Sequence, residues 1–442
     1  MDIKNVPLDR KTVARIVHDS EIDLRVASIR EMNRIVNEIE SKLEIDFIRM
    51  EFGVPGLPTP DLAIDAEVEA LRTKRLANRY APFDGVPELK REAALFAKNF
   101  MNVEVPPACC VPTVGAMQGG FLAQAVAGRM DPKKQTILFL HPSFPVNRQQ
   151  TRFLGFKEDH IDFYDHRGDK LIEALDERLA QGDVAAVLWS SPNNPSWIIL
   201  TDDELAGMGR VLDKHGVIGI EDLAYFGMDF RQHYGVPGEP PYQPTIARHC
   251  RRWFVLFSAS KAFSYAGQRI GVAYIAPDLM EEESEYLKPF FSTKKVGYAF
   301  LHGGIYPTTA SVPEGPQHGL LALMRAANEG HLDFTDLTRE YGRRAEVMKR
   351  MFLENGFEIV YKDDLGEPLA DGFYFTFSYP GFDQGYELIA EMLHYGISAI
   401  TLDSAGSCRK EAVRGCVSLV HPTRFDELQY RLRQFHQDHP RD

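Results

Sequence analysis

From residue 22 to about residue 43 the chain reads as an amphipathic run, LRVASIREMNRIVNEIESKL, in which Ile29, Met32, Ile35, Val36 and Ile39 recur three and four positions apart between charged residues. That spacing predicts a surface helix with one face in a core. The next stretch, FGVPGLPTPD (52–61), carries three prolines and two glycines. It predicts a connector between compact units.

Beyond the connector, short apolar runs alternate with longer amphipathic ones. TILFL (136–140), VAAVLWS (184–190), VIGIE (217–221), WFVLFS (253–258) and RIGVAYIA (269–276) are candidate strands. Between two of them, TDDELAGMGRVLDKHG opens on Thr201, continues with acidic residues and ends on Gly216, the order of signals expected of a helix. The alternation predicts an α/β fold with a largely parallel sheet and helices on both faces. Past Pro316, the helical stretches HGLLALMRAANEG and LTREYGRRAEVMKRMFLENG precede the strand-like GFYFTFSY and AVRGCVSLV, which predicts a second, smaller α+β unit. The EEESE run at 281–285 reads as a solvated helix surface.

Length and charge narrow the classes. At 442 residues the chain has room for two or three domains. Its net charge of −13 and the lack of a basic stripe argue against nucleic acid as a partner. The first 25 residues alternate charges and offer no apolar stretch for a signal peptide. The longest uncharged run, Val105 to Gly128, contains three prolines and four glycines, so no membrane span is expected. Five cysteines without a CxxC pair or a histidine at zinc spacing predict reduced thiols in a cytoplasm and no metal site.

In open α/β sheets, ligands gather beyond the carboxyl ends of the strands. Asn193 and Asn194 follow one candidate strand, Asp222 another, and Ser258, Ser260 and Lys261 a third. Arg269 lies eight residues after Lys261 in SASKAFSYAGQRIG, where hydroxyls and a guanidinium suit a phosphate dianion and leave the lysine for covalent work. In PTVGAMQGGFLAQAVAG, small residues after a strand lead into an apolar helix. Read alone, that segment fits an ordinary glycine-rich turn as well as an anion site.

Taken in order, GVPGLPTP, YAPFDGVPELK, VGAMQGG, PSFP, SPNNP, EDLAY, SASKAFSYAGQRIG and VRGCVSL resemble the motifs of the class I/II, fold type I aminotransferases that depend on pyridoxal 5'-phosphate (PLP). The resemblance implies a large PLP-binding domain at 61–315 and a smaller α+β domain built from both chain ends, 1–60 and 316–442. It implies amino-group transfer between an L-amino acid and a 2-oxo acid through a Lys261 aldimine, the displaced lysine then moving the substrate proton. A β-lyase or synthase on the same scaffold is the alternative. A DNA-binding regulator fused to this fold is disfavoured, because only about 50 residues precede the motifs and they contain no helix-turn-helix pair.

By the same resemblance Asp222 keeps the ring nitrogen protonated, Asn194 and Tyr225 donate to the ring O3', and Phe144 stacks on the ring. Gly115, Ala116, Met117, Ser258 and Arg269 cradle the phosphate, with Ser260 beside them. Tyr80 matches a tyrosine that reaches the neighbouring subunit's phosphate, which implies a homodimer. Arg414, helped by the backbone at Gly53, takes the substrate α-carboxylate. Two departures concern the substrate. Ser196 and Trp197 stand where the family usually has Thr-Gly, which predicts a reshaped loop, and 291–311 holds Lys294 and Lys295 but no arginine for a second carboxylate.

Overall fold

The computed structural model describes residues 6–440, which form two compact units. The larger runs from Leu57 to Pro192 and from Ile199 to Thr338. The smaller combines the segment ending at Gly56, the short loop Asn193–Ile198, and the chain from Arg339 onward.

A seven-stranded sheet is the centre of the larger unit. Its strands are β1 (Cys110–Thr113), β2 (Thr136–His141), β3 (Lys157–Asp162), β4 (Val184–Ser190), β5 (Ile218–Leu223), β6 (Trp253–Ser258) and β7 (Gly271–Ile275). They lie in the order β1-β7-β6-β5-β4-β2-β3; β7 runs antiparallel to both β1 and β6, and every other pairing is parallel. β2, β4 and β6 are buried along their whole length, as expected when both faces are covered. A cluster of phenylalanines (Phe96, Phe100, Phe226, Phe257, Phe263, Phe334) packs with ring centroids 4.6 to 6.3 Å apart. Each such pair adds about 0.5 to 1.5 kcal/mol beyond its buried area.

The smaller unit carries an antiparallel sheet of β8 (Glu358–Ile359), β9 (Tyr374–Ser378), β10 (Ile400–Thr401) and β11 (Val413–Cys416), in the order β10-β11-β9-β8. Phe352, Phe357, Phe375 and Phe377 form its aromatic core. No helix among the described residues is long and apolar enough to cross a membrane.

Several sequence expectations shift. The first amphipathic helix begins at Ile29, not Ile22, because Ser28 accepts from the Glu31 N–H while the Glu31 carboxylate accepts from the Ser28 N–H, which closes a capping box. The 281–285 run is not a helix surface. Glu281 ends a short helix, Glu283 bridges to Lys295, and a new turn starts at Glu285. The helix Glu314–Asn328 groups with the larger unit, because its buried Leu320, Leu323, Met324 and Ala327 face helices Asp61–Thr73 and Pro87–Met101. The boundary therefore lies near 338 and not at 315.

Candidate active site

Strand register explains how distant motifs of the larger unit meet. Gly271 pairs with Ser258 across β6–β7 and with Thr113 across β1–β7. The turn after β6 and the loop after β1 therefore emerge at the same end of the sheet. A side chain at Gly271 would collide with the Gly115–Ala116 backbone and with the Phe257 carbonyl, 2.5 Å from the Cβ position. Glycine at 271 is what lets the two segments approach.

At that end the helix Gly115–Ala127 begins. Gly115 has φ +68°, and a Cβ built on it would lie 2.6 Å from Arg269 Nη2. Arg269 itself ends a short turn in the left-handed region and donates from Nη1 to Ser260 Oγ (3.3 Å) and the Ala266 carbonyl (2.8 Å). Ser258 Oγ accepts from the Ser260 N–H at 3.2 Å. A helix N-terminus, two hydroxyls and a guanidinium so arranged are groups that could cradle an anion. Ala116 is half-buried and Met117 is 39% exposed.

Asp222 stands at the end of β5, in register with Ser190 of β4 and Leu256 of β6. The sequence expectation ended this strand at Glu221; it continues to Leu223, so Asp222 is a strand residue. Its carboxylate accepts from the Ala224 N–H at 3.1 Å, and burial pushes its pKa up to about 7. The residue as a whole is half-buried, and its carboxylate is desolvated. A cation placed there, such as a protonated ring nitrogen, would relieve the penalty. The adjacent Glu221 is also raised to about 7 by burial, but it accepts from Thr245 Oγ1, the Ile246 N–H and Trp189 Nε1, an internal network.

Lys261 is half-buried in the short helix Ala259–Ala262 that follows β6, and Tyr225 is buried three residues beyond Asp222. Phe226, Phe257 and Phe263 flank these residues in sequence and pack together in the phenylalanine cluster, which fixes both segments from below. Phe144, half-buried, precedes the helix Pro145–Phe153 after β2. Tyr80 is 86% exposed.

The remaining candidates belong to the smaller unit. Arg414, on β11, is 2% exposed; Nη1 donates to Asn194 Oδ1 (3.2 Å) and Nη2 to the Glu51 carbonyl (2.7 Å). Its Nε has no hydrogen-bond partner among the described residues, so a buried cation retains donor capacity for an anion. The guanidinium carbon lies 4.4 Å from the centre of the Tyr374 ring. The Tyr374 hydroxyl occupies the space a Cβ at Gly53 would take. Sequence reading missed Tyr374 and Gly271; the glycine of QRIG was visible, but the close approach that requires it is tertiary.

His233, Asp333 and Asp336 place potential ligand atoms within 4.8 Å of one another. Asp333 accepts from the N–H groups of Thr335 and Asp336 and pairs with His233.

The anion cradle, the desolvated aspartate and the half-buried lysine fit a phosphate, a pyridinium and an aldehyde, the three handles of PLP. Comparison with known proteins agrees. The family described as Aminotransferase class I and II matches residues 45–302. A probable aspartate aminotransferase of Methanocaldococcus jannaschii is 24% identical over 343 residues, covering 77% of this chain and 80% of the relative. The aspartate/prephenate aminotransferase of Thermus thermophilus is 26% identical over 230 residues, 52% of this chain and 56% of its own. Among solved structures, an alanine aminotransferase from Pyrococcus furiosus shares the fold with a TM-score of 0.75 at 18% identity, over 95% of this chain and all of that one. The chain belongs to the class I and II aminotransferases, PLP-dependent enzymes that move an amino group between an amino acid and a 2-oxo acid.

Proposed function

We propose that Lys261 holds PLP covalently through Nζ, and that its amine, once displaced by substrate, moves the proton at the substrate Cα. Bound there, PLP supplies an electron sink for the negative charge left when Cα loses that proton. Asp222 keeps the ring nitrogen protonated. Asn194 and Tyr225 donate to the ring O3' and Phe144 covers a ring face. Gly115, Ala116, Met117, Ser258, Ser260 and Arg269 hold the phosphate, and Arg414 with the Gly53 backbone takes the α-carboxylate. The approach of Gly115 to Arg269, which joins motifs more than 150 residues apart, is the observation that carries this reading.

The exposure of Tyr80, which leaves its ring available to a second copy, supports a homodimer in which this residue completes the neighbouring site. No disulfide joins the five cysteines, which supports a reducing compartment such as the cytoplasm. The donor side chain remains a matter of chemistry at 291–311. Lys294 pairs with Glu283 at 2.8 Å and Lys295 pairs with Glu281, so neither supports a preference for a second substrate carboxylate.

Incubation of the enzyme with single amino acids, without oxo acid, tests the reaction. Pyridoxamine phosphate should accumulate with release of the matching 2-oxo acid, whereas pyruvate and ammonia would indicate β-elimination instead.

A further inference from the structure

We propose that Trp197 is a positioning residue for the substrate carboxylate, acting through Tyr374 on the orientation of Arg414. The inference rests on the assignment of Arg414 above.

Trp197 has φ +65°, a backbone conformation that glycine enters freely and a bulky side chain enters at a steric cost. The loop imposes that conformation. The Trp197 N–H donates to the Asn193 carbonyl at 2.8 Å, the Asn193 N–H donates to the Ile198 carbonyl at 2.9 Å, and Asn193 Oδ1 accepts from Ser196 N–H and Oγ at 3.1 and 2.7 Å. A large side chain is carried on a backbone better suited to none, and the position of the indole is what it gains.

The indole is fully buried and lies against Gly372, where any Cβ would overlap it. It packs against the Tyr374 ring with centroids 6.0 Å apart and planes at 71°. The same Tyr374 ring carries the Arg414 guanidinium, and its hydroxyl is seated at Gly53. Trp197, Tyr374 and Arg414 are thus consecutive contacts in one row. Asn194, three residues before Trp197 in the same loop, also accepts from Arg414. Both contacts restrict the plane of a guanidinium that must meet a carboxylate with two parallel hydrogen bonds, where orientation governs the strength of the pair.

A double-mutant cycle separates this role from simple core filling. Steady-state kinetics would be measured for wild type, Trp197→Gly, Trp197→Phe, Arg414→Ala and the Trp197→Gly/Arg414→Ala double variant, with the best donor from a panel of standard L-amino acids. Trp197→Gly should raise the donor KM about tenfold while kcat changes less than about threefold, and Trp197→Phe should recover most of the loss. In the Arg414→Ala background the same change should add less than about twofold, because coupled residues are not additive. An unchanged KM in Trp197→Gly, or an equal increase in both backgrounds, overturns the proposal. Should Trp197→Gly fail to fold, Tyr374→Leu reads the same row under the same criteria, and additivity there also overturns it. If Arg414→Ala alone leaves KM unchanged, the assignment of Arg414 fails first and this proposal falls with it.

Discussion

The guanidinium of Arg269 stands where a side chain at Gly115 would begin, with Nη2 2.6 Å from that Cβ position. Residue 115 is also in the left-handed region, so any substitution there strains the backbone and displaces the cation together. Gly115→Ala should weaken PLP binding at least about tenfold, since both the helix N-terminus and a charge-assisted contact are lost. Titration of the apo-protein followed by absorbance measures it; an unchanged dissociation constant would remove this cradle from the phosphate site.

Arg414→Ala should act on binding more than on turnover. A bidentate contact to a carboxylate contributes about 1.5 to 3 kcal/mol, so the donor KM should rise at least about tenfold. The same truncation leaves the Asn194 and Glu51 acceptors without their donor, and a modest fall in melting temperature is expected alongside. Unaltered KM would assign Arg414 to structure alone.

Asp222 makes the stability of the apo-protein depend on pH in a defined direction. Its folded-state pKa is about 7 against an ordinary 3.8. Between those values the folded chain holds a proton that the unfolded chain has released, so raising the pH across the window destabilises the fold, and the dependence ends above about 7. Asp222→Asn should remove that part of the slope, leaving the share due to Glu221, and PLP should reduce it in the wild type by pairing the carboxylate. Melting temperatures from pH 4 to 8 for both apo-proteins check this. Parallel curves would mean that Asp222 is ionised throughout.

Sedimentation should report a mass near twice the 50.0 kDa chain. Tyr80→Phe should weaken PLP retention without dissociating the dimer, because it removes one hydroxyl from a ring otherwise in solvent. A monomer of full activity would contradict the shared site.

The parts of the fold that were legible in the sequence are those whose side chains are buried on both faces. β2, β4 and β6 match their apolar runs residue for residue or within one position. β3, KEDHID, was invisible because it is a polar edge strand whose first four residues stay at least partly exposed. The helix Arg10–Asp19 was missed because only Val13 and Ile16 reach the core. In the site, residues with chemistry of their own stood out from their motifs, whereas Tyr374, Gly271 and Gly372 serve by shape. Their partners lie on other elements, and a close approach leaves no local pattern. Trp197 was visible as a departure, but its left-handed backbone and its place against Tyr374 are tertiary facts.

The most direct test of the account is the attachment point of the cofactor. Borohydride reduction of the PLP-loaded enzyme followed by peptide mapping should place the pyridoxyl group on Lys261, and Lys261→Ala should lose both the adduct and transaminase activity while retaining its melting transition. A reducible adduct that persists in Lys261→Ala, or one mapped to another lysine, would contradict it.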